Sequence, residues 1–206
     1  MQIFFEQKLV FLAVPKAGST SCEAALRRFA SVDVTSPPER RHMTSRRFQR
    51  TLGVQLEREH SSKFETIAVL RNPLDRFASW FRYRKRQNSK KDTVGMTFDE
   101  FVRLALSDCP PSAAKIGSQV RFVQSQSGEI LIDHLFCIEN PAPFLAFVTK
   151  RFQFPIALEH LNKSPAADVT LSDENKALFF DCRKREFELY SKVRDAGHLR
   201  RPIEFL

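Results

Sequence analysis

Residues 15–21 read Pro15-Lys16-Ala17-Gly18-Ser19-Thr20-Ser21, a cation, a glycine and three hydroxyls directly after a short apolar run. A strand turning into a helix at this point presents unpaired backbone N–H groups and the positive end of the helix dipole, while Gly18 permits close approach and Lys16 adds a point charge. That is the chemistry of a phosphate cradle. It is not a Walker A loop, because GxxxxGK[ST] is absent and the lysine precedes the glycine. On composition alone, an ordinary strand-to-helix turn with a surface lysine is an equal reading.

A second candidate runs Arg71-Asn72-Pro73-Leu74-Asp75-Arg76-Phe77-Ala78-Ser79-Trp80-Phe81. Arg71 leaves the end of another apolar run, and Ser79 falls on the polar side of the next helix, so guanidinium and hydroxyl could close on one phosphate. Taken singly, Arg71 reads as a surface ion-pair residue and Ser79 as a solvated helix position.

The elements that must position these groups follow from hydrophobic patterning. Leu9 to Val14 is continuous and apolar, closed by Pro15 and Gly18, as in a strand buried on both faces. A helix is expected from Ser21 to Phe29, a loop over residues 31–41, and a helix capped by Thr44 or Ser45 to about Leu52. Thr66 to Leu70 reads as a second buried strand. Asn72 then caps a helix with Pro73 at its first position, running to Arg86 with Leu74, Phe77, Ala78 and Phe81 on one face. Residues 87–96, with Lys90 and Lys91, read as a polar loop, and Thr97 to Glu100 as a capping box opening a helix to Leu106. A third strand is expected within Ile130 to Ile138, a helix from Asn140-Pro141 to Phe152, and a long helix capped by Ser172 that reaches Val193. The alternation predicts one α/β domain over residues 1–206, a parallel sheet flanked by helices with its ligand at the carboxyl ends of the strands.

The bulk properties agree with one core and an anionic partner. The chain has 206 residues, is 42% hydrophobic and carries a formal charge of +9. Cys22, Cys109, Cys137 and Cys182 are scattered without a CxxC pair, which predicts reduced core thiols and offers no zinc cluster. The opening residues lack the form of a signal peptide and no segment reaches membrane-spanning length, so a soluble cytoplasmic protein is expected.

Together the two motifs resemble the sulfotransferase superfamily, in particular its carbohydrate and membrane-associated type with their bacterial relatives. In that family a PK-x-G-[ST]-[ST] loop grips the 5′-phosphosulfate of 3′-phosphoadenosine 5′-phosphosulfate (PAPS), and an R-x-P-x-x-R-x-x-S segment grips the 3′-phosphate. The resemblance implies a P-loop-like nucleotide-binding fold in which Lys16, Ala17, Gly18, Ser19, Thr20 and Ser21 form the 5′ site, and Arg71 and Ser79 the 3′ site. Arg41-His42-Met43-Thr44 is similar to the family's His-containing segment, making His42 the candidate base beside catalytic Lys16, with His60 in reserve. Cys137-Ile138-Glu139-Asn140 is similar to the post-strand glutamate segment, and Glu139 is a weaker alternative base or orienter. Leu161-Asn162-Lys163-Ser164 is similar to a late nucleotide-side loop, which adds Lys163 and Ser164; a simple Asn-Lys-Ser-Pro turn is the competing reading.

The activity so implied is metal-independent, in-line transfer of a sulfuryl group from PAPS to an acceptor hydroxyl, by preference that of a carbohydrate. No nucleic-acid partner is expected. Two other readings compete: a phosphotransferase or hydrolase with a degenerate phosphate loop, and a non-catalytic polyanion-binding module supported by charge alone.

Overall fold

The computed structural model describes residues 1–86, 95–159 and 168–201. The chain opens with an antiparallel hairpin, β1 (Gln2–Phe4) and β2 (Leu9–Phe11), and passes through a turn into α1 (Ser19–Leu26). A short edge strand β3 (Val32–Asp33) and the one-turn helix α2 (Pro38–Arg41) follow, then α3 (Ser45–Arg50) and α4 (Leu52–His60). Next come β4 (Glu65–Leu70), α5 (Pro73–Arg86), α6 (Phe98–Ala105) and α7 (Gln119–Val123). The described chain closes with β5 (His134–Cys137), α8 (Ala142–Phe152), α9 (Asp173–Cys182), α10 (Lys184–Ala196) and β6 (Leu199–Arg200).

The sheet order is β3-β1-β2-β4-β5-β6. Only β2, β4 and β5 run parallel; β1, β3 and β6 pair antiparallel at the two edges. The expectation of a wholly parallel sheet is therefore corrected to a mixed one. Its cause is connection length: residues 5–8 suffice for a hairpin between β1 and β2, whereas parallel neighbours need long crossovers. Strands β1, β3 and β6 hold two or three residues each, too few to show a period.

All six side chains of Leu9–Val14 are fully buried, as expected, although the strand itself is only Leu9–Phe11. Alternation sends Val10, Leu12 and Val14 to one face with Ala68, Leu70 and Leu135, and Leu9, Phe11 and Ala13 to the other with Ile67, Val69 and Phe136. The stripe on α5 has a different partner. Phe77 and Phe81 pack on Phe98, Phe101 and Phe179 in a satellite core beside the sheet, which fixes that helix over the strand tips.

Capping predictions hold where a side chain does the capping. Asn72 Oδ1 accepts from Leu74 N–H at 3.0 Å, Thr97 and Glu100 form a reciprocal box, and Thr44 and Ser172 cap α3 and α9. The single helix expected from Ser172 to Val193 is two, broken at Arg183, where no proline or glycine marks the break. Cys22 and Cys137 are buried thiols pushed up to about 12 by burial, as expected, but Cys109 and Cys182 are exposed; all four are unbridged. Among the described residues no helix is long and apolar enough to cross a membrane.

Candidate active site

Parallel pairing brings the two motifs together. The register sets Phe11 opposite Ile67, and four residues further along each chain stand Pro15 and Arg71. On the other side of β4, Leu70 pairs with Cys137, and Ile138 N–H donates to the Leu70 carbonyl at 2.9 Å. The carboxyl ends of three neighbouring parallel strands thus surround one space, as open α/β sheets dispose their ligand sites.

That space is a cavity of about 700 Å³. Lys16, Gly18, Ser19, Thr20 and Ser21 line it together with Arg71, Ser79 and His42. Arg41, Arg84 and Lys115 add three cations, and no Asp or Glu lines it among the described residues. Trp80 and Tyr83 supply an aromatic wall, their rings stacked with centroids 5.4 Å apart, and Lys16 Nζ sits 4.3 Å from the Tyr83 centroid. Ala17 is placed otherwise: its side chain is in the core and its N–H donates to the Val14 carbonyl at 3.4 Å, so it shapes the turn without lining the cavity. Lys163 and Ser164 lie outside the described residues, as do Asn162, His160, Lys90 and Lys91.

The turn is built around an uncapped helix start. Gly18 occupies the N-cap of α1 with φ +78°, and no side chain caps the helix. First-turn amides have no intrahelical acceptor, so those of Ser19 and Thr20 are left for an anion. Lys16 itself has φ +63°, a conformation an L-residue adopts at some cost. Gly18 is required twice, because a Cβ there would fall 2.6 Å from Ile138 Cγ1. We predict that Gly18→Ala destabilises the fold by about 1–2 kcal/mol from left-handed strain alone, plus the clash. Chemical denaturation checks this: pairing with Ile138→Ala should restore the clash contribution and leave the strain.

His42 follows α2, whose short turn is anchored through Arg41. The Arg41 guanidinium pairs with buried Glu23 at 2.5 Å and donates to Thr20 Oγ1 at 3.3 Å. His42 Nδ1 lies 2.8 Å from the Ala13 carbonyl oxygen. A carbonyl can only accept, so Nδ1 carries the proton and Nε2 keeps its lone pair. Burial, with Arg41 adding to it, holds the His42 pKa below the ordinary imidazole value against the opposing Ala13 bond. The ring is therefore neutral at physiological pH, with one nitrogen able to accept a proton.

The reserve base His60 is elsewhere, packed on Phe5 and Phe64 at the end of α4. His134 is buried, as its strand position predicts, and it contacts His198 at 3.0 Å. Glu139 does not line the cavity. Its Oε1 accepts from Asn72 N–H at 2.8 Å.

Sequence reasoning missed a buried network that joins the two motifs. Arg76, 2% exposed, donates from Nε to the Pro15 carbonyl at 2.9 Å and from Nη2 to the Gly117 carbonyl at 2.6 Å. Its Nη1 lies 3.8 Å from buried Glu186, which also accepts from Gln119 N–H at 3.3 Å. Gln119 in turn binds the Arg71 backbone at both ends, accepting from its N–H at 3.0 Å and donating to its carbonyl at 2.8 Å. Burial lowers the Arg76 pKa to about 10, so it stays charged at neutral pH. The sequence signal was Arg76's place as the middle arginine of the R-x-P-x-x-R-x-x-S pattern, to which no role was given.

A profile of the Sulfotransferase family matches residues 2–139 of this chain, two thirds of its length, including every residue of both motifs and His42. The chain belongs to the sulfotransferase family. It is thus an enzyme of sulfuryl transfer from a nucleotide donor to a hydroxyl acceptor. Searches of curated proteins and of solved structures gave no match. In this sulfotransferase the described residues contain no group of three or more His, Cys, Asp or Glu side chains placed to share a metal.

Proposed function

We propose that the donor is PAPS, held across the cavity with its 5′-phosphosulfate on the P-loop-like turn at Lys16–Ser21 and its 3′-phosphate between Arg71 and Ser79. The observation that carries this is the convergence of both motifs on one cavity with five lining cations and no lining carboxylate among the described residues. Two well-separated phosphate groups suit such a site better than one. Trp80, tethered through its indole N–H to the Ala113 carbonyl at 2.8 Å, offers a fixed flat face for the purine.

The donor supplies the sulfuryl group. Lys16 and the first-turn amides of α1 face the oxygens that gain negative charge as the bond from sulfur to the 5′-phosphate oxygen breaks. His42 Nε2 takes the proton of the acceptor hydroxyl as the new sulfur–oxygen bond forms, and the electron pair of the broken bond remains on the departing 5′-phosphate. The fixed Nδ1–H bond to Ala13 keeps the accepting nitrogen oriented throughout.

The acceptor in this proposal is a carbohydrate hydroxyl. Beyond His42 lies a second cavity of about 570 Å³ lined by Thr44, Ser118, Gln124, Ser125 and Gln126, hydroxyl and amide side chains suited to sugar hydroxyls. Thermal denaturation tests the donor. At 100 times its Kd, 3′-phosphoadenosine 5′-phosphate (PAP) should stabilise the fold by about 2.7 kcal/mol. ATP with magnesium at the same concentration should do much less; equal or greater stabilisation by ATP would contradict the assignment and favour a phosphotransferase.

A further inference from the structure

Arg41 lines the donor cavity but is held from behind. Its half-buried side chain forks onto buried Glu23, with Nη2 donating to Oε2 at 2.5 Å and Nε to Oε1 at 3.4 Å. The same Oε1 accepts from the Met1 amino group at 2.7 Å. Burial would raise the Glu23 carboxyl, but the bonds from Arg41 and the amino group outweigh it and hold the pKa below the ordinary value. The clamp is therefore an ion pair at neutral pH.

Three parts of the site meet at this clamp. Glu23 belongs to α1, the helix that opens at the Lys16–Ser21 turn. Arg41 Nη2 also donates to Thr20 Oγ1 at 3.3 Å. A guanidinium has no acceptor, so Thr20 Oγ1 takes the Arg41 hydrogen and its own hydrogen is left to donate, in a cavity lined by no carboxylate among the described residues. The residue that follows Arg41 is His42, and the helix that carries both, α2, is a single turn without one buried side chain. So short a helix does not fix its own place; its side-chain ties to neighbouring elements do.

We propose that Arg41 is a positioning residue for the transfer step: held on α1 by Glu23, it turns the Thr20 hydroxyl toward the sulfuryl oxygens and keeps the His42 turn in place beside the sulfur. This rests on the donor and base assignments above. Because Arg41 acts through Thr20 and His42, its loss should appear in turnover more than in nucleotide affinity.

The charges around His42 give a readout that a merely structural role would not move. Next to burial, the Arg41 charge disfavours the His42 imidazolium and the Met1 amino group adds to it, while Glu23 opposes both. Charged groups that line the two cavities with His42 from other elements, among them Lys16, Arg46, Arg71, Arg76, Arg121 and Arg185, are cations too and stay unchanged throughout the test.

Steady-state kinetics across pH on Arg41→Gln, Arg41→Lys and Glu23→Gln, with the Kd for PAP titrated on each, test the proposal. Arg41→Gln should lower kcat on the order of 10- to 100-fold, as loss of a charge-assisted hydrogen bond does. Its Kd for PAP should change much less, and its acid limb of kcat/KM should move to higher pH. Arg41→Lys keeps the charge, so the limb should stay where the wild type has it; kcat should return only in part, since an ammonium lacks the fork that spans Glu23 and Thr20. Glu23→Gln leaves the Arg41 charge but loosens its hold, so kcat should fall and the limb should move the opposite way, to lower pH. The double variant Arg41→Gln/Glu23→Gln should turn over no more slowly than Arg41→Gln alone. Thermal denaturation accompanies each variant, and if buried Glu23→Gln does not fold, the two Arg41 variants decide. A kcat for Arg41→Gln within about twofold of the wild type, an unmoved acid limb, or a Kd for PAP that weakens as much as kcat falls overturns the proposal. A wild type that fails to bind PAP, or whose acid limb survives His42→Ala, instead removes the assignments above, and the role of Arg41 falls with them.

Discussion

His42→Ala should lower kcat by about 10²–10⁴-fold, the usual contribution of a positioned general base, while the Kd for PAP stays within a factor of two or so. The separation of effects follows from geometry. His42 borders both cavities and is assigned no phosphate to hold, and its bond to Ala13 fixes which nitrogen works. The pH dependence has a defined sign. With His42 as the proposed base, activity should need neutral imidazole and be lost as pH falls through the His42 pKa. Burial holds that pKa below the ordinary value, so the acid limb of kcat/KM should lie below pH 6.5. In His42→Ala that limb should vanish from the residual rate. Stopped turnover assays across pH with labelled donor would show it, and wild-type kcat in the variant would remove His42 from the mechanism.

Arg76→Met should be the most destabilising single change near the site. It strips the partner from a buried carboxylate and leaves the Pro15 and Gly117 carbonyls without their donor. Breaking a buried pair by removing one member costs about 3–5 kcal/mol. Arg183, 3.3 Å from Glu186, retains part of the compensation, so the low end of about 3 kcal/mol is expected. For a chain of this size that is a fall in Tm of roughly 6–12 °C. Removing both charges in Arg76→Met/Glu186→Met should cost less than the sum of the two single changes. Arg76 acts here as a positioning residue: below the transition, the folded variant should bind PAP more weakly because the Lys16 turn has lost its brace, and Arg76→Lys should recover charge but not the two-carbonyl geometry. Additive energies in the double variant would show that the pair is not coupled.

These two residues mark what sequence reasoning reached and what it did not. The segments at 15–21 and 71–79 are legible because each puts its chemistry into a few consecutive residues at the boundary of a buried strand and a helix. Their convergence was legible as well, since parallel neighbours place successive strand tips side by side. His42 became a candidate only through resemblance; nothing local announces that Ala13 would orient its ring. The Arg76–Glu186–Gln119 network was invisible because its members meet across separations of 41 residues, Arg76 to Gly117, up to 110, Arg76 to Glu186. The strands Gln2–Phe4, Val32–Asp33 and Leu199–Arg200 are too short to carry a period, and so the mixed character of the sheet was missed. The break at Arg183 went unread for a related reason. The backbone leaves helical geometry at Arg183, with φ −113° and ψ 15°, and no residue type there announces it.

The most direct test compares the Kd of PAP with that of adenosine 5′-phosphate, its counterpart lacking the 3′-phosphate, in the wild type, Lys16→Ala and Arg71→Ala. The wild type should prefer PAP; Arg71→Ala should erase that preference, and Lys16→Ala should weaken both nucleotides while leaving it in place. A preference for PAP that persists undiminished in Arg71→Ala would contradict a nucleotide held by its two phosphate ends between these strand tips.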